Sequence, residues 1–257
     1  MEDRKDAGVG PGTAGGASGA GGAAVPVAVH VVVAPVFGTN CAVVVLPGAE
    51  CVVVDAGAGV ADRVVGLVER EGLVPRAVLA THGHVDHTWD AAALCERLGV
   101  PLVLHEDDAY RLPDPFGTIE DARAGVSGPL AAALRDAGAR PEDYREPRDV
   151  RPFAGGPGVA VPLVAPGLHA VPAPGHTEGS SLFLAGAPGT GVLLSGDVLF
   201  AGSVGRTDLP GGDGAVMART LRDVVGGLDP RWDVLPGHGP ATTVAHERAT
   251  NPFLARG

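Results

Sequence analysis

Two periodicities alternate along most of the chain, one with the two-residue repeat of strands and one with helical spacing. Valine-rich runs come first and a helical run follows them, which predicts three strands and then a helix. Strands followed by a helix occur again in the second half of the chain. The predicted strands are 27–33, 41–46, 51–57, 76–82, 101–105, 167–174, 181–186, 191–197 and 232–237, and the predicted helices are 60–73, 91–99 and 215–228. This alternation is typical of an α/β protein and suggests two similar halves.

Two stretches depart from this alternation. Residues 1–24 hold eight of the 40 glycines and almost no bulky apolar side chain. Such a segment buries too little surface to offset the entropy of ordering, so we expect a disordered Gly/Ala-rich tail and a folded domain over 25–257. Within that domain, residues 106–150 are richer in charge and interrupted by prolines. We interpret 106–150 as a helical insertion or lid rather than core.

Composition disfavours several classes of function. The formal net charge of −11 works against nucleic-acid binding, because phosphate recognition needs a basic face. No apolar run approaches the ~20 residues that span a bilayer, and the apolar segment of a signal peptide is missing. Cys41, Cys51 and Cys95 form no CxxC pair and are odd in number, so no disulfide framework is indicated. We expect a cytoplasmic protein that binds neither membrane nor nucleic acid.

The stretch THGHVDHTWD, residues 81–90, concentrates potential metal ligands. His82 and His84 are two residues apart at the end of a predicted strand, so extended geometry points both side chains to one side, where they can share an ion. Asp86 and His87 follow where the chain leaves the strand, and they can face a second ion beside the first. Taken alone, the stretch is also explained as a polar loop capped by Asp86.

Three other strand ends carry a potential ligand next to glycine. They are His176 in PGHTEGS, Asp197 in LLSGDVLF and His238 in LPGHGP. Glycine there allows a tight turn and lets an imidazole or carboxylate approach a crowded site. Each residue alone is also explained as a capping aspartate or a loop histidine. Their common placement at strand ends favours a single shared site.

These motifs carry a family resemblance. The chain resembles the metallo-beta-lactamase superfamily of hydrolases, whose signature matches His82, His84, Asp86 and His87, and the resemblance covers roughly residues 27–254. It implies an α/β fold of four layers, an αβ/βα sandwich in which two mixed sheets are flanked by helices. It also implies that the functional site lies at one edge of the sandwich.

The resemblance further implies two metal ions and a role for each ligand. The first ion is expected on His82, His84 and His176, the second on Asp86, His87 and His238, with Asp197 bridging the two. Asp86 is also assigned a catalytic role. Asp55, in VVVDAG, resembles an acceptor that fixes the tautomer of a ligand imidazole, although a turn residue before glycine explains it equally well.

Nitrogen and carboxylate ligands suit zinc, iron or manganese, of which we expect zinc. Two ions about 3.5 to 4 Å apart can hold a bridging hydroxide while they polarise a carbonyl, and metal binding lowers the pKa of water to about 7. A structural zinc site is instead closed by four ligands that are typically rich in cysteine. The ligand set therefore favours an open, reactive centre.

The stretch 195–213 resembles both glyoxalase II-like (hydroxyacylglutathione hydrolase-like) enzymes and persulfide dioxygenases, and the ending 236–254 resembles the single-domain glyoxalase II-like branch. That branch implies hydrolysis of small-molecule thioesters of the S-lactoylglutathione type. The leaving thiol has a pKa near 8.5, so it departs as thiolate without a proton donor. Arg206 is a candidate for binding a substrate carboxylate, and the alternative is that it pairs with Asp208 to shape the loop.

Three features depart from glyoxalase II. Only about 19 residues follow His238, where glyoxalase II carries a helical domain whose basic residues help hold glutathione. The only lysine is Lys5, so an anionic substrate must be met by arginine, histidine or a helix N-terminus. Asp90 stands where the signature usually has glycine, and we expect a small change of the loop there. The thiol that carries the acyl group can therefore be glutathione or another thiol of low molecular weight.

Two other functions share the same residues. An iron-dependent persulfide dioxygenase keeps these histidines and binds a single iron through the positions of His82, His176 and Asp197. A metal-binding protein without turnover is the third hypothesis. True beta-lactamases lack the aspartate that Asp197 matches, and the acidic charge disfavours tRNA processing.

Overall fold

The computed structural model describes residues 27–119, 129–136 and 138–254. The strands are β1 (Ala28–Val33), β2 (Asn40–Val45), β3 (Glu50–Val54), β4 (Val74–Leu79), β5 (Leu102–Val103), β6 (Val161–Pro162), β7 (Leu168–Pro172), β8 (Ser181–Ala185), β9 (Val192–Gly196), β10 (Asp233–Pro236) and β11 (Thr242–Thr243). The helices are α1 (Ala61–Arg70), α2 (Val85–Thr88), α3 (Ala91–Leu98), α4 (Pro129–Asp136), α5 (Gly214–Asp223) and α6 (Val244–Thr250). The predicted tail 1–24 lies outside the described residues.

The strands form two mixed sheets. The first has five strands in the order β1-β2-β3-β4-β5, in which β1 to β3 are antiparallel neighbours and β3, β4 and β5 are parallel. The second has six strands in the order β11-β10-β9-β8-β7-β6, and only β9 and β10 are parallel. Each half of the chain therefore contributes one sheet, as the repeated strand and helix pattern predicts.

The hydrophobic core holds these sheets and helices in four layers. Between the sheets, one cluster joins Val44 and Leu79 of the first sheet to Phe183 and Leu194 of the second. Helices α1 and α3 cover the outer face of the first sheet, and α5 with the start of α6 covers the second. Because both faces of the central strands are buried, these strands are continuous apolar runs. The expected four-layer αβ/βα sandwich is confirmed.

The long periodic elements were predictable and the short ones were not. The strand and helix patterns up to residue 105 match β1 to β5, α1 and α3, and Gly99 ends α3 in the left-handed conformation at φ 68°. The strands β6 and β11 have two residues each, too few to show a period. The helix α6 was missed because its sequence, VAHERAT, has only one strongly apolar residue.

The segment 106–150 includes residues that are buried inside the fold. It contains α4, but it begins with a 3-10 helix over Glu106–Arg111. Within that helix Asp108 and Arg111 are fully buried, and Leu112 and Phe116 after it are buried as well. The sequence favours a helical insertion or lid rather than core for this segment, whereas Asp108 and Arg111 lie inside the fold.

All three cysteines lie in the core between the first sheet and its helices. Cys41, Cys51 and Cys95 are free thiols and are buried. Burial raises the pKa of Cys51 to about 11 and that of Cys95 to about 12. In the described ranges, no helix has both the length and the apolar character needed to cross a membrane.

Asp90, which stands where the signature usually has glycine, caps helix α1. Its Oδ2 accepts hydrogen bonds from the backbone N–H groups of Val60 and Ala61, both at 2.8 Å. The first N–H groups of a helix have no partner within the helix, and Val60, at the cap position, has no side-chain oxygen to offer. Asp90 is therefore a helix cap supplied from a distant residue, and the small loop change expected there stays a prediction.

We predict that Asp90→Ala lowers the free energy of unfolding by about 1 kcal/mol, the usual cost of losing an N-cap. Asp90→Asn keeps an acceptor oxygen and should retain most of this stability. Asp62→Asn is the control, because the Asp62 side chain is 94% exposed and such changes usually stay within about 0.5 kcal/mol. Urea denaturation followed by circular dichroism measures all three, and equal losses in the Asp62 and Asp90 variants would contradict the capping role.

Candidate metal centre

The seven candidate ligands meet at one edge of the sandwich. The strands that carry them belong to both sheets, and β9 and β10 are parallel neighbours, so their carboxyl ends lie side by side. In chain order the ligands are His82 and His84 after β4, Asp86 and His87 in α2, His176 after β7, Asp197 after β9, and His238 after β10. The structure brings all seven together.

Asn40 ties the two sheets together at this edge. It begins β2 of the first sheet, and its Nδ2 donates to the carbonyl oxygens of Pro236 and Gly239 at 3.0 and 2.9 Å. Its backbone N–H donates to the carbonyl of Gly237 at 2.8 Å. These three bonds fix the loop that carries His238 against the first sheet.

The first group of ligands consists of His82, His84 and His176. Their ring nitrogens converge, with His84 Nδ1 at 3.1 Å from His82 Nε2 and at 2.9 Å from His176 Nε2. All three side chains are almost fully buried, and α2 begins directly after His84. One histidine nitrogen therefore faces two others in a space that water does not reach freely.

The second group consists of Asp86, His87 and His238. His238 Nε2 lies 3.2 Å from Asp86 Oδ2 and 3.2 Å from His87 Nε2, and His87 Nε2 lies 3.6 Å from Asp86 Oδ2. The side chains of Asp86 and His238 are 20% and 27% exposed, in contrast to the buried first group. The centre therefore opens to solvent on the side of the second group.

Asp197 lies between the two groups. Its Oδ1 is 3.4 Å from His87 Nε2, and its Oδ2 is 3.7 Å from His176 Nε2 and 3.6 Å from His238 Nε2. One carboxylate thus reaches donor atoms of both groups, which is the geometry that a bridging ligand requires.

These groups fit metal ions better than they fit a network of hydrogen bonds. Donor atoms held about 2.0–2.2 Å from one ion at angles near 90–110° lie roughly 2.8 to 3.6 Å apart, which matches the spacings given for both groups. A hydrogen-bond network would have to place one proton between each pair of facing nitrogens. Among the described residues, the buried Asp197 Oδ1 finds no hydrogen-bond donor. Both groups can therefore hold a cation.

The electrostatics of the two groups differ. Burial, together with neighbouring imidazoles, holds the pKa of His82 and of His84 well below the usual value, so their nitrogens are neutral and free to bind. Burial also lowers the pKa of His87, but the carboxylates of Asp55, Asp86 and Asp197 outweigh it and raise that pKa to about 10. The second group therefore attracts positive charge, while the first offers neutral donors.

Burial disfavours the ionised form of Asp86 too, but His87 and His238 outweigh that effect and lower the pKa of its carboxyl. Asp86 is thus a carboxylate that faces the open side of the centre. It is placed as a member of the second group, and the catalytic role assigned to it stays a prediction.

The ring nitrogens on the far side of four imidazoles each face an acceptor. His176 Nδ1 lies 2.7 Å from the carbonyl of Arg206, His238 Nδ1 lies 3.2 Å from that of Phe37, and His82 Nδ1 lies 3.1 Å from Thr81 Oγ1. Such contacts fix the tautomer and orientation of a ligand imidazole. Sequence reasoning missed these acceptors, since two of them are backbone carbonyls that leave no trace in the sequence.

Asp55 provides the fourth of these acceptors. Its Oδ2 lies 3.0 Å from His87 Nδ1, and its two oxygens also accept hydrogen bonds from the backbone N–H and hydroxyl of Thr81. Asp55 is buried and has a φ of 59°, a left-handed conformation that aspartate tolerates better than most residues. Its carboxylate therefore supports both His87 and, through the Thr81 hydroxyl, His82.

Glycine is required where the backbone passes closest to the ligands. A Cβ on Gly237 would lie 2.3 Å from Asp197 Oδ1 and 2.7 Å from His87 Cε1. A Cβ on Gly205 would lie 1.8 Å from the carbonyl oxygen of Asp197. All three distances are below any real contact, so glycine is needed at both positions, and at Gly237 it allows the close approach that the motif LPGHGP predicts.

The Arg206 side chain is exposed and paired with Asp208. Its guanidinium forms two hydrogen bonds with Asp208, both 2.7 Å long, and both side chains are well exposed. Of the two roles considered for Arg206, loop pairing is the one present in the structure. The same loop borders a cavity of about 1130 Å³, whose lining includes Arg206, Met217, Leu221 and Phe253.

The chain is similar to proteins of known family. A model of the metallo-beta-lactamase superfamily matches residues 34–238. An uncharacterized protein of Mycobacterium tuberculosis is 37% identical over 84% of this chain and 92% of its own length. Hydroxyacylglutathione hydrolase GloC of Haemophilus influenzae is 28% identical over 88% of this chain and 97% of its own length.

Two crystal structures share the fold. That of BLEG-1 B3 metallo-beta-lactamase superposes with a TM-score of 0.70 and 29% identity, and it covers 88% of this chain and 99% of that one. That of TTHA1623 in a di-iron-bound form superposes with a TM-score of 0.67 and 33% identity, and it covers 85% of this chain and 96% of that one.

The family model spans most of the chain, the four-layer fold is the one that the resemblance implies, and the signature residues meet at one edge. The chain belongs to the metallo-beta-lactamase superfamily.

Proposed function

We propose that this protein is a dinuclear metal-dependent hydrolase of small-molecule thioesters of the hydroxyacyl-thiol type. The observation that carries the proposal is the completeness of both ligand groups, with Asp197 in reach of each. When bound, two divalent ions would polarise an acyl carbonyl and lower the pKa of water so that hydroxide is available near neutral pH. We propose zinc for both positions, because nitrogen and carboxylate donors suit it.

The relatives support a thioester as the substrate. The Haemophilus protein bears the name hydroxyacylglutathione hydrolase and is matched over 97% of its length. A second protein of that name, from Anaeromyxobacter dehalogenans, is 31% identical over 80% of this chain. The GloC match runs over nearly the whole length of the Haemophilus protein and over 88% of this chain, which supports carrying its class of substrate over to this proposal.

Different residues of the chain serve different parts of the proposed hydrolysis. The two groups and Asp197 hold the reacting centre, and the exposed side near Asp86 and His238 admits the acyl carbonyl. Hydroxide forms a bond to the acyl carbon, the carbon–sulfur bond breaks, and the sulfur leaves as thiolate with its electron pair. The thiol has a pKa near 8.5, so no side chain has to donate a proton to it.

The thiol carrier is the less constrained part of the substrate. Arg206 is held by Asp208, so it would have to exchange this pairing for a substrate carboxylate. The cavity of about 1130 Å³ beside this loop is at least as large as the sites of about 300–1,000 Å³ that bind small molecules. A carrier other than glutathione is compatible with both features.

We predict that the purified, zinc-loaded protein hydrolyses S-lactoylglutathione or a related hydroxyacyl thioester, measured by the release of free thiol. His84→Ala should lower kcat/KM about 1,000-fold, since a bound ion supplies several kcal/mol of transition-state stabilisation. His246→Ala is the matched control, because His246 is exposed on α6, away from the centre. A chromogenic β-lactam serves as the competing substrate.

Thioester turnover that is equal in wild type and His84→Ala would refute the proposal. Efficient β-lactam turnover without thioester turnover would instead favour a beta-lactamase, the activity that the description of the BLEG-1 structure names.

Metal content separates this hydrolase from a persulfide dioxygenase. We predict two ions per chain in the wild type and one in His238→Ala, because His238 belongs only to the second group. Elemental analysis after dialysis measures the number of ions per chain. A single iron per wild-type chain, with oxygen consumption on a persulfide, would favour the dioxygenase instead. Tight metal binding with every ester and thioester left intact would favour a protein without turnover.

A further inference from the structure

A buried carboxylate outside both ligand groups connects the loops of the first group. Asp108 lies in the 3-10 helix over Glu106–Arg111 and is fully buried. Its Oδ2 accepts hydrogen bonds from the backbone N–H of Gly83 and from Thr177 Oγ1, both at 2.7 Å. Its Oδ1 accepts from the backbone N–H of Gly179 at 2.9 Å. One side chain therefore joins a loop after β4 to a loop after β7.

The residues bound by Asp108 are direct neighbours of the ligands. Gly83 lies between His82 and His84, and Thr177 follows His176. The two loops come from different sheets, and the backbone N–H of Ser181 also donates to the carbonyl of Thr81 at 2.9 Å. Asp108 is thus placed to set the distance between His176 and the His82–His84 pair.

Arg111 extends the connection to a third loop. Its side chain is fully buried, its Nε donates to Asp108 Oδ1 at 3.2 Å, and its Nη2 donates to the carbonyl of Pro210 at 3.1 Å and to Glu178. Pro210 belongs to the loop whose Arg206 carbonyl accepts from His176 Nδ1. The guanidinium also balances the charge of the buried carboxylate, which would otherwise be costly to bury.

The packing around the pair leaves little freedom. A Cβ on Gly83 would lie 2.8 Å from the carbonyl oxygen of Asp108 and 2.9 Å from Arg111 Cδ. A Cβ on Gly179 would lie 2.8 Å from the Cβ of Asp108. The ligand loops therefore press directly against this pair, and a shift of Asp108 would be passed on to them.

We propose that Asp108, balanced by Arg111, is a positioning residue that sets the geometry of the first ligand group and thereby its affinity for metal. The inference rests on the two-metal site of the proposed function but not on the identity of the substrate. Outer partners of metal ligands typically contribute 10- to 100-fold in metal affinity. The effect should fall on the first group, because the partners of Asp108 lie beside its ligands: Gly83 stands between His82 and His84, and Thr177 and Gly179 follow His176.

Cobalt(II) titration of the metal-free full chain tests the proposal, with absorption spectra that report the coordination of each ion. Asp108→Asn replaces one acceptor oxygen with a donor, so we expect one of the two affinities to fall at least about 10-fold, with a changed spectrum. The other affinity should stay within about threefold. The affinity that is lost in His238→Ala identifies the second group.

A milder pair of variants covers the case in which Asp108→Asn does not fold. Thr177→Val removes one hydroxyl donor to Asp108, and Thr177→Ser keeps it. We expect the valine variant to weaken the first group and the serine variant to restore wild-type affinity. Asp107→Asn is a matched control, because Asp107 lies in the same 3-10 helix with a 59% exposed side chain.

A second control separates positioning from general loss of stability. Leu67→Ala creates a cavity in the core beneath α1, where Leu67 is buried, and should destabilise the fold without changing the cobalt spectrum.

Unchanged metal affinities in Asp108→Asn and Thr177→Val, or an equal loss of affinity in Leu67→Ala, would overturn the positioning role alone. A wild-type chain that binds no ion would overturn both the positioning role of Asp108 and the proposed function. A wild-type chain that binds two ions but cleaves no thioester would overturn only the proposed function.

Discussion

Three carboxylates and five imidazoles share one largely buried edge of this protein, and the rest of the site depends on that concentration of polar groups. Asp55, Asp86 and Asp197 lie within 3.0 to 3.7 Å of ligand imidazoles. Burying charge without compensation costs many kcal/mol, so such an edge is stable only with cations and fixed hydrogen bonds. Three surrounding features stabilise this edge. Backbone carbonyls orient the imidazoles, glycines let the backbone pass close to the candidate ligands, and Asn40 joins the two sheets by hydrogen bonds.

The convergence of the candidate ligands was predictable from the sequence, because each is a histidine or aspartate at or just after the end of an apolar run. The long strands and helices were predictable for a related reason, since both faces of the central strands are buried and the runs are plainly apolar. The four-layer arrangement and the pairing of residues into two groups came from the family resemblance rather than from periodicity.

What the sequence did not reveal is set by contacts between distant residues. The carbonyls of Arg206 and Phe37 carry no side-chain signal. Asp108 and Arg111 lie in a charge-rich segment, and charge normally indicates surface, but each neutralises the other and both are buried. Asp90 was noticed as a departure from the signature, yet its role depends on Val60 and Ala61, which it meets only in the folded chain.

The buried cysteines have a consequence for the redox chemistry of a protein that is proposed to release thiols. Free thiols and their disulfides exchange with thiolates that are accessible and ionised. Cys41, Cys51 and Cys95 are the three cysteines of the chain, all are buried, and burial raises the pKa of each thiol. Because all three are buried thiols, the folded protein resists exchange with the disulfide form of a released thiol, and the seven candidate ligands are imidazoles and carboxylates without a cysteine sulfur.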